Sequence, residues 1–374
     1  MNDAAPEREA VVDLGAVRRN VETLRERIGT HHVIAVVKAN AYGHGAVPVA
    51  RAALAGGADR LGVADVAEAL QLRDAGVTAP VLAWLHGSRP DFSTALEADV
   101  ELGISTLDQL DAAVQASRRV SRPAVVHLKL DTGLSRNGLP VDAWPTAVRA
   151  ARAAEAAGHL HVVGVFSHLS GTSPDAYAAQ ADALDRGLAE AARAGLDPEF
   201  VHLAASGAAL TLPRTRYNTV RLGISIYGLS PFSDREPAEF GLTPVMTLRA
   251  RVVATRAVPQ GQGVSYGHTY RAPAETNLAL VPIGYADGLP RQASGRAEVS
   301  IGGRRHPVAG RVAMDQIVVD VGDTPVSVGD EVVVFGDPAT GVPSAEDWAR
   351  AAGTIGYDIV ARLGPRVRRT YVGE

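Results

Sequence analysis

The sequence predicts an α/β protein in two parts: an N-terminal (β/α)8 barrel over residues 1–236 and a mainly β C-terminal domain over residues 237–374. Three observations point there. Up to about residue 230, short β-branched runs alternate with longer Ala/Leu/Arg stretches of helical period, and eight such units suit a closed barrel. Apolar runs such as "VIAVV" (33–37) are continuous, which fits a parallel sheet covered on both faces. After residue 240 the alternation gives way to strands separated by Gly, Pro and Asp turns. A doubly wound open sheet shares the local pattern, and periodicity alone leaves it open.

In chain order, a strand-like "EAVVDL" (9–14) comes first and is free to pair with the C-terminal domain instead of the barrel. The eight barrel strands are read at 32–40, 59–65, 79–85, 99–105, 124–132, 162–169, 199–206 and 219–228. Helical stretches lie between most of them, at 16–28 before the first strand and then at 66–76, 106–119 and 177–195, the last stopped by Gly195. The Pro- and acid-containing "SPFSDREPAEFGLTP" (230–244) marks the boundary. Beyond it, "VMTLRARVVATRAV" (245–258), "TNLALVPIGY" (276–285), "QIVVDVG" (316–322) and "DEVVVFG" (330–336) read as strands, and "SAEDWARAAG" (344–353) as one short helix.

Composition narrows the function classes. A net charge of −4 argues against a general polyanion binder, so no nucleic-acid role is expected. The arginine clusters at Arg304-Arg305 and at Arg366 to Arg369 read as solvated surface. With no cysteine, disulfides, zinc ribbons and thiol nucleophiles are excluded, and no metal site is expected. The start "MNDAAPEREA" lacks the apolar core of a signal peptide, and no apolar run reaches the ~18 residues of a membrane span. The expectation is a soluble, cytoplasmic protein without a membrane partner.

Barrel active sites sit at the C-terminal ends of the strands. That rule gathers Lys38, Lys129, Asp131, His168, His202, Ser206, Arg221, Gly223 and Ile224 at one mouth. Ser206 and the amides near Gly223 suit a phosphate, because glycine lets the backbone approach an anion closely. One lysine among phosphate-binding candidates suggests pyridoxal phosphate held as a Schiff base, since a desolvated or cationic setting makes a lysine a competent amine. The ordinary alternative is a lysine snorkelling from a strand end to solvent.

"AVVKANAYGHG" (35–45) closely resembles the cofactor-lysine signature of the alanine racemase family. "LKLDTGLSRNG" (128–138), "FSHLSG" (166–171), "VHLAASGAAL" (201–210), "VRLGISIYG" (220–228), "GVSYGHTY" (263–270), "VPIGYADGLPR" (281–291), "AGRVAMDQ" (309–316) and "TIGYDIVARLGPRVRRTY" (354–371) come in the family's order and span nearly the whole chain. The resemblance implies a barrel followed by a β domain, a head-to-tail homodimer with shared active sites, and an isomerase that interconverts L- and D-alanine for peptidoglycan precursors.

It also implies roles. Lys38 is similar to the lysine that joins the cofactor and serves as base for the D enantiomer. Tyr266 is similar to the base for the L enantiomer. Tyrosine ordinarily titrates near pH ~10 and needs a partner to act near neutrality, and His168 resembles the histidine that supplies it. Arg221 resembles the arginine that faces the cofactor's ring nitrogen; a guanidinium does not give up its proton, so the ring stays unprotonated and a weaker electron sink. His202 resembles its hydrogen-bond partner. Tyr42, Ser206, Gly223, Ile224 and Tyr357 match phosphate-holding positions. Arg136 and the Met314 amide match substrate-carboxylate positions, and Tyr285 and Asp315 match entrance positions. Lys129 matches a lysine carbamylated in many members; here the alternative is an ammonium paired with Asp131. Taken as bare residues, Tyr266 reads as a packed strand aromatic and Arg221 as half of a salt bridge at the barrel mouth. Ala205, Ala313 and Asp358 stand where the family commonly has Asn, Cys and Glu. The rival readings are a racemase of serine or a bulkier amino acid, a barrel-type decarboxylase, and a non-catalytic pyridoxal phosphate carrier.

Overall fold

The computed structural model describes residues 6–88, 90–171 and 173–373. The chain forms two compact units. One holds Val21–Ala39 and Val49–Ile226; the other holds the described residues up to Asn20, Asn40–Pro48, and those from Tyr227 onward. The first strand, β1 (Arg8–Asp13), belongs to the second unit.

The first unit is a closed parallel barrel of β2 (His32–Val36), β3 (Arg60–Val63), β4 (Val81–Ala83), β5 (Val100–Ile104), β6 (Ala124–Lys129), β7 (Leu160–Phe166), β8 (Phe200–Ala205) and β9 (Thr219–Leu222). Pairing of Ala35 with Leu222 closes the ring and excludes the open-sheet alternative. Each strand is near-continuously buried, as a sheet covered on both faces requires. The helices begin on local signals: Thr106 caps Leu107–Val120, and Ser173 with Pro174 opens Pro174–Arg193, three residues before the periodic run read from the sequence.

Two irregularities shape the barrel's interior and its mouth. At β6–β7 the register slips between Val126 and His127, so that His127 sits opposite Gly164. A Cβ on Gly164 would lie 2.0 Å from the imidazole Nδ1 of His127; glycine there is a requirement of space. The second is at the end of β2. The sequence reads as strand to residue 40, but the strand stops at Val36 and Lys38–Tyr42 makes one helical turn of the opposite hand. Ala39, Asn40, Ala41 and Tyr42 all have φ of 52–53°. Such a turn costs roughly 1–2 kcal/mol per non-glycine residue, so neighbours must hold it. Glu68 accepts from the Ala39 amide at 2.6 Å, the Asn40 side chain accepts from the Ala46 amide at 2.9 Å, and buried His44 donates through Nδ1 to the carbonyls of Ala41 and Tyr42 at 3.0 Å each. Gly45, at φ 108°, packs where a Cβ would fall 2.0 Å from the Tyr371 hydroxyl.

The second unit adds β10 (Met246–Arg251), β11 (Ala254–Val258), β12 (Gly263–Val264), β13 (Tyr270–Arg271), β14 (Thr276–Val281), β15 (Glu298–Ile301), β16 (Arg304–Pro307), β17 (Ile317–Gly322), β18 (Glu331–Phe335) and β19 (Arg368–Val372). A six-stranded sheet runs β16-β15-β18-β10-β1-β19, a three-stranded sheet β11-β14-β17, and β12 pairs with β13. The stretch 245–258, read as one strand, is two. The amide of Val252 bonds to Asp330 and that of Val253 to Leu280, which passes the chain from one sheet to the other. The hairpin β15–β16 turns on Gly302 and Gly303, both at positive φ, a two-glycine hairpin signal that sequence reading overlooked.

In the arginine cluster 366–369, Arg366 and Arg368 are exposed, as read from the sequence, but Arg366 and Arg369 are also tied to the fold. Arg366 makes a two-pronged bond to Asp287 at 2.9 Å from each nitrogen, and Asp287 has no exposed surface. Arg369 donates to the carbonyls of Gly43, Leu363, Gly364 and Val367 at 2.6–3.1 Å. Arginine's rigid fork makes both possible. Arg304 and Arg305 are exposed, and Arg305 pairs with Asp347 at 3.3 Å.

Candidate active site

Within the barrel the strand order brings the expected residues to one end. The pairing of β2 with β9, and of β9 with β8, places Lys38, Gly223 and Ser206 just beyond three neighbouring strand ends. Gly223 and Ile224 lie past β9 rather than in it, and Ile224 opens a 3-10 turn. The Gly223 amide donates to Ser206 Oγ at 3.1 Å, both groups buried.

Lys38 does not reach freely into solvent. Burial and then the nearby Arg136 guanidinium lower its pKa, with Glu68 opposing them. More of the amine is therefore neutral at a given pH than in an exposed lysine. Lys129, at the end of β6, is pushed down to about 8 by burial, Arg221 and Arg136, against the pull of Asp131. Its ammonium donates to Asn137 rather than to Asp131, whose Oδ1 instead accepts the amides of Gly133 and Ser135 at 3.0 and 3.1 Å.

Arg221 is only 5% exposed. It donates to the carbonyls of Ser167 at 2.8 Å and of His202 and Leu203 at 3.0 Å, to His202 Nδ1 at 3.0 Å and to His168 Nδ1 at 3.1 Å. Among these partners there is no carboxylate, so the salt-bridge alternative fails. A buried cation held only by neutral dipoles is costly, and burial draws its pKa down to about 10. His168 is pushed down to about 3 by burial and then by Arg221, and His202 falls well below its ordinary value for the same reasons. Both imidazoles are neutral acceptors toward Arg221.

Behind His202 lies a part of the site that sequence reading missed. His202 Nε2 is 3.0 Å from His127 Nδ1, His127 Nε2 is 3.2 Å from Glu101 Oε2, and Glu101 also pairs with Arg60. Their signal was visible in outline: "DVELGIS" and "AVVHLK" carry a carboxylate and an imidazole inside otherwise apolar strands. Buried polar groups of that kind need partners.

The second unit holds the remaining residues. Tyr42 and Tyr357 have ring centroids 6.2 Å apart, and burial raises both phenols, Tyr42 to about 12. Both remain neutral hydroxyls. Tyr266 lies between β12 and β13, is 68% exposed and is not a packed strand aromatic. Its loop is strained, with Ser265 at φ 60° and His268 at φ 44°, and is tied by Ser265 Oγ to the Arg311 carbonyl at 2.8 Å. Tyr285 and Met314 are adjacent, since the amides of Tyr285 and Ala286 donate to the carbonyls of Ala313 and Met314 at 2.9 Å. Met314 is 52% exposed, and Asp315 accepts from Arg366 at 2.7 Å.

Comparison with known proteins covers both parts of the chain. Residues 12–231 match the family model "Alanine racemase, N-terminal domain", and residues 245–371 match "Alanine racemase, C-terminal domain". An alanine racemase of Thermobifida fusca is 49% identical over 368 residues, 98% of each chain. The alanine racemase structure from D-cycloserine-producing Streptomyces lavendulae matches with a TM-score of 0.97 and 47% identity, covering 100% of this chain and 98% of that one. That from Streptomyces coelicolor A3(2) matches with a TM-score of 0.96 and 46% identity over all of both chains. On these matches, which run through both halves of the sequence, the chain belongs to the alanine racemase family.

Proposed function

We propose that the protein interconverts L- and D-alanine with pyridoxal phosphate as cofactor. The observation that carries this reading is Arg221, a buried cation with no carboxylate partner among the described residues. The residues present fit the cofactor. Lys38 supplies an amine whose pKa is lowered by burial and Arg136. Ser206 and the Gly223 amide, with Ile224, Tyr42 and Tyr357, offer neutral donors for a phosphate. Arg221 offers a donor that keeps the ring nitrogen unprotonated, with His202 and His168 accepting from it.

Bound there, pyridoxal phosphate would supply the electron-withdrawing group that acidifies the substrate's α-proton. The chain's own residues do the rest. Lys38 holds the cofactor and exchanges a proton with the face of the D enantiomer. Tyr266 exchanges a proton with the opposite face, partnered by His168. Arg136 and the Met314 amide bind the substrate carboxylate, while Tyr285 and Asp315 line the entrance. An unprotonated ring is a weak electron sink, which disfavours decarboxylation and transamination. A carrier without activity would not need the C-terminal domain or its exposed tyrosine. The exposure of Tyr266 and Met314 supports a homodimer in which each subunit completes the other's site. D-alanine of this origin would feed peptidoglycan precursors in the cytoplasm.

The test is exchange in deuterated water. With pyridoxal phosphate and L-alanine, the α-proton should disappear by NMR as D-alanine appears by enantioselective chromatography. Retained α-protons with unchanged L-alanine, while L-serine exchanges, would move the reading to a serine racemase.

Lys129, with a pKa near 8, has enough free amine near neutrality to take up carbon dioxide. With its match to the lysine carbamylated in many family members, this leads us to expect carbamylation. Intact mass under gentle ionisation should show the added carbon dioxide, lost on acidification. An unmodified mass at saturating bicarbonate would leave Lys129 as the amine that pairs with Asn137.

A further inference from the structure

From Arg221 on β9 and His202 on β8, which the proposed chemistry uses, a continuous polar line runs on through the barrel interior to His127 on β6, Glu101 on β5 and Arg60 on β3, which it does not use directly. Its rings are packed between aromatic faces. Phe166 stacks on His202 with centroids 4.7 Å apart, Phe200 stacks on His127 at 6.0 Å, and the Arg60 guanidinium lies 3.8 Å over Phe200. His127 and His202 have no exposed surface. This packing leaves each ring nitrogen with the neighbour it has and no route to water.

The proton positions along the line are set from one end. Arginine only donates, so His202 Nδ1 must accept from Arg221. Neutral His202 therefore carries its proton on Nε2 and donates to His127 Nδ1. His127 Nδ1 is then an acceptor, its proton sits on Nε2, and it donates to Glu101 Oε2. Arg60 donates to the other carboxylate oxygen. Every contact has one donor and one acceptor, and the order admits no reversal. If His202 carried its proton on Nδ1, two donors would face each other at Arg221 in a buried site.

We propose that Arg60, Glu101 and His127 are positioning residues that lock the tautomer of His202 and thereby hold the Arg221 guanidinium in place toward the cofactor ring. The inference rests on the reading that Arg221 faces the ring nitrogen of pyridoxal phosphate. The register slip at β6–β7 and the missing Cβ of Gly164 serve it, because they admit the His127 ring between the strands.

The primary measurement needs no cofactor. In apo protein labelled with 15N-histidine, His127 and His202 should both show protonated Nε2 and bare Nδ1 at neutral pH. His127→Phe identifies the His127 signals and keeps a ring of similar volume while removing the acceptor. It should alter the His202 nitrogen shifts and weaken pyridoxal phosphate binding about tenfold or more, the scale for loss of a supporting hydrogen bond behind a ligating group. Glu101→Gln can offer its carbonyl to His127 only by turning its NH2 toward the Arg60 donor, so it should keep both tautomers but bind cofactor more weakly than wild type and less weakly than His127→Phe does. Unchanged His202 shifts and unchanged affinity in His127→Phe would reduce the line to packing. If that variant does not fold, the wild type decides: a proton on Nδ1 of either histidine overturns the relay. Failure of wild type to bind cofactor or exchange alanine would refute the proposed function and leave the apo tautomers as an independent result.

Discussion

Lys38→Ala is expected to abolish racemisation in both directions, a loss of about ten-thousandfold or more. The residue is assigned two tasks, the covalent hold on the cofactor and proton exchange on one substrate face. General acid–base work alone contributes about 10²–10⁴-fold, and losing the covalent anchor adds to it. The check is the initial rate with L- and with D-alanine at saturating cofactor; activity within tenfold of wild type would remove Lys38 from both tasks. The electrostatics make a second, independent expectation. Burial and Arg136 depress the Lys38 pKa and Glu68 raises it. In apo protein the pH midpoint for acylation of Lys38 should therefore lie below that of a free lysine, near ~10.4. Removing the neighbouring cation with Arg136→Leu should move the midpoint up. Removing the anion with Glu68→Gln should move it down, although that change also weakens the tie to the left-handed turn at Ala39. A midpoint that ignores both substitutions would place Lys38 in open solvent.

Tyr266→Phe is the second large effect, and its signature is asymmetric. The substitution keeps the ring and removes the hydroxyl. Racemisation should fall about 10²–10⁴-fold in both directions, because either direction needs one proton taken and another given on opposite faces. Solvent exchange of the α-proton of D-alanine should survive, since Lys38 works on that face alone. Exchange at L-alanine should fall with racemisation. Equal loss of exchange for both enantiomers would point to damaged cofactor binding instead. The two variants also test the shared site. Co-expressed as a mixed population, Lys38→Ala and Tyr266→Phe chains would form hybrids with one intact site, restoring up to about a quarter of wild-type activity for random pairing in a two-fold dimer. No recovery in verified hybrids would place both residues of each site on a single subunit.

The barrel was legible because its signal is local. Each strand–helix unit announces itself within a few tens of residues, by apolar runs and helical period, while the caps Thr106 and Ser173 were plain only in the structure. The C-terminal unit was legible only in part. The run 245–258 has uniform strand character, so nothing local marks the switch of sheets at Val252–Val253. The arginines of 366–369 look like any charged surface run, because their partners Asp287 and Gly43 lie far away in the chain. For the candidate site, motif order names the residues and leaves their surroundings unknown. Glu101 and His127 went unnoticed because each stands alone within its own strand and acquires meaning only from the next.

By itself, then, the amino-acid sequence determined the eightfold strand–helix succession, the change of texture near residue 240, and the identity of the residues assembled at the barrel mouth. Tertiary structure decided three further matters. It turned Lys38–Tyr42 left-handed, a conformation that these residues do not favour and that Glu68, Asn40 and His44 help to hold. It left Arg221 buried with carbonyls and imidazoles and, among the described residues, no carboxylate. It set the direction of the protons from Arg221 to Glu101. Periodicity and capping act between residues a few positions apart, so a sequence displays them. Burial and hydrogen-bond polarity depend on which distant strands become neighbours, and closure of the barrel supplies those neighbours.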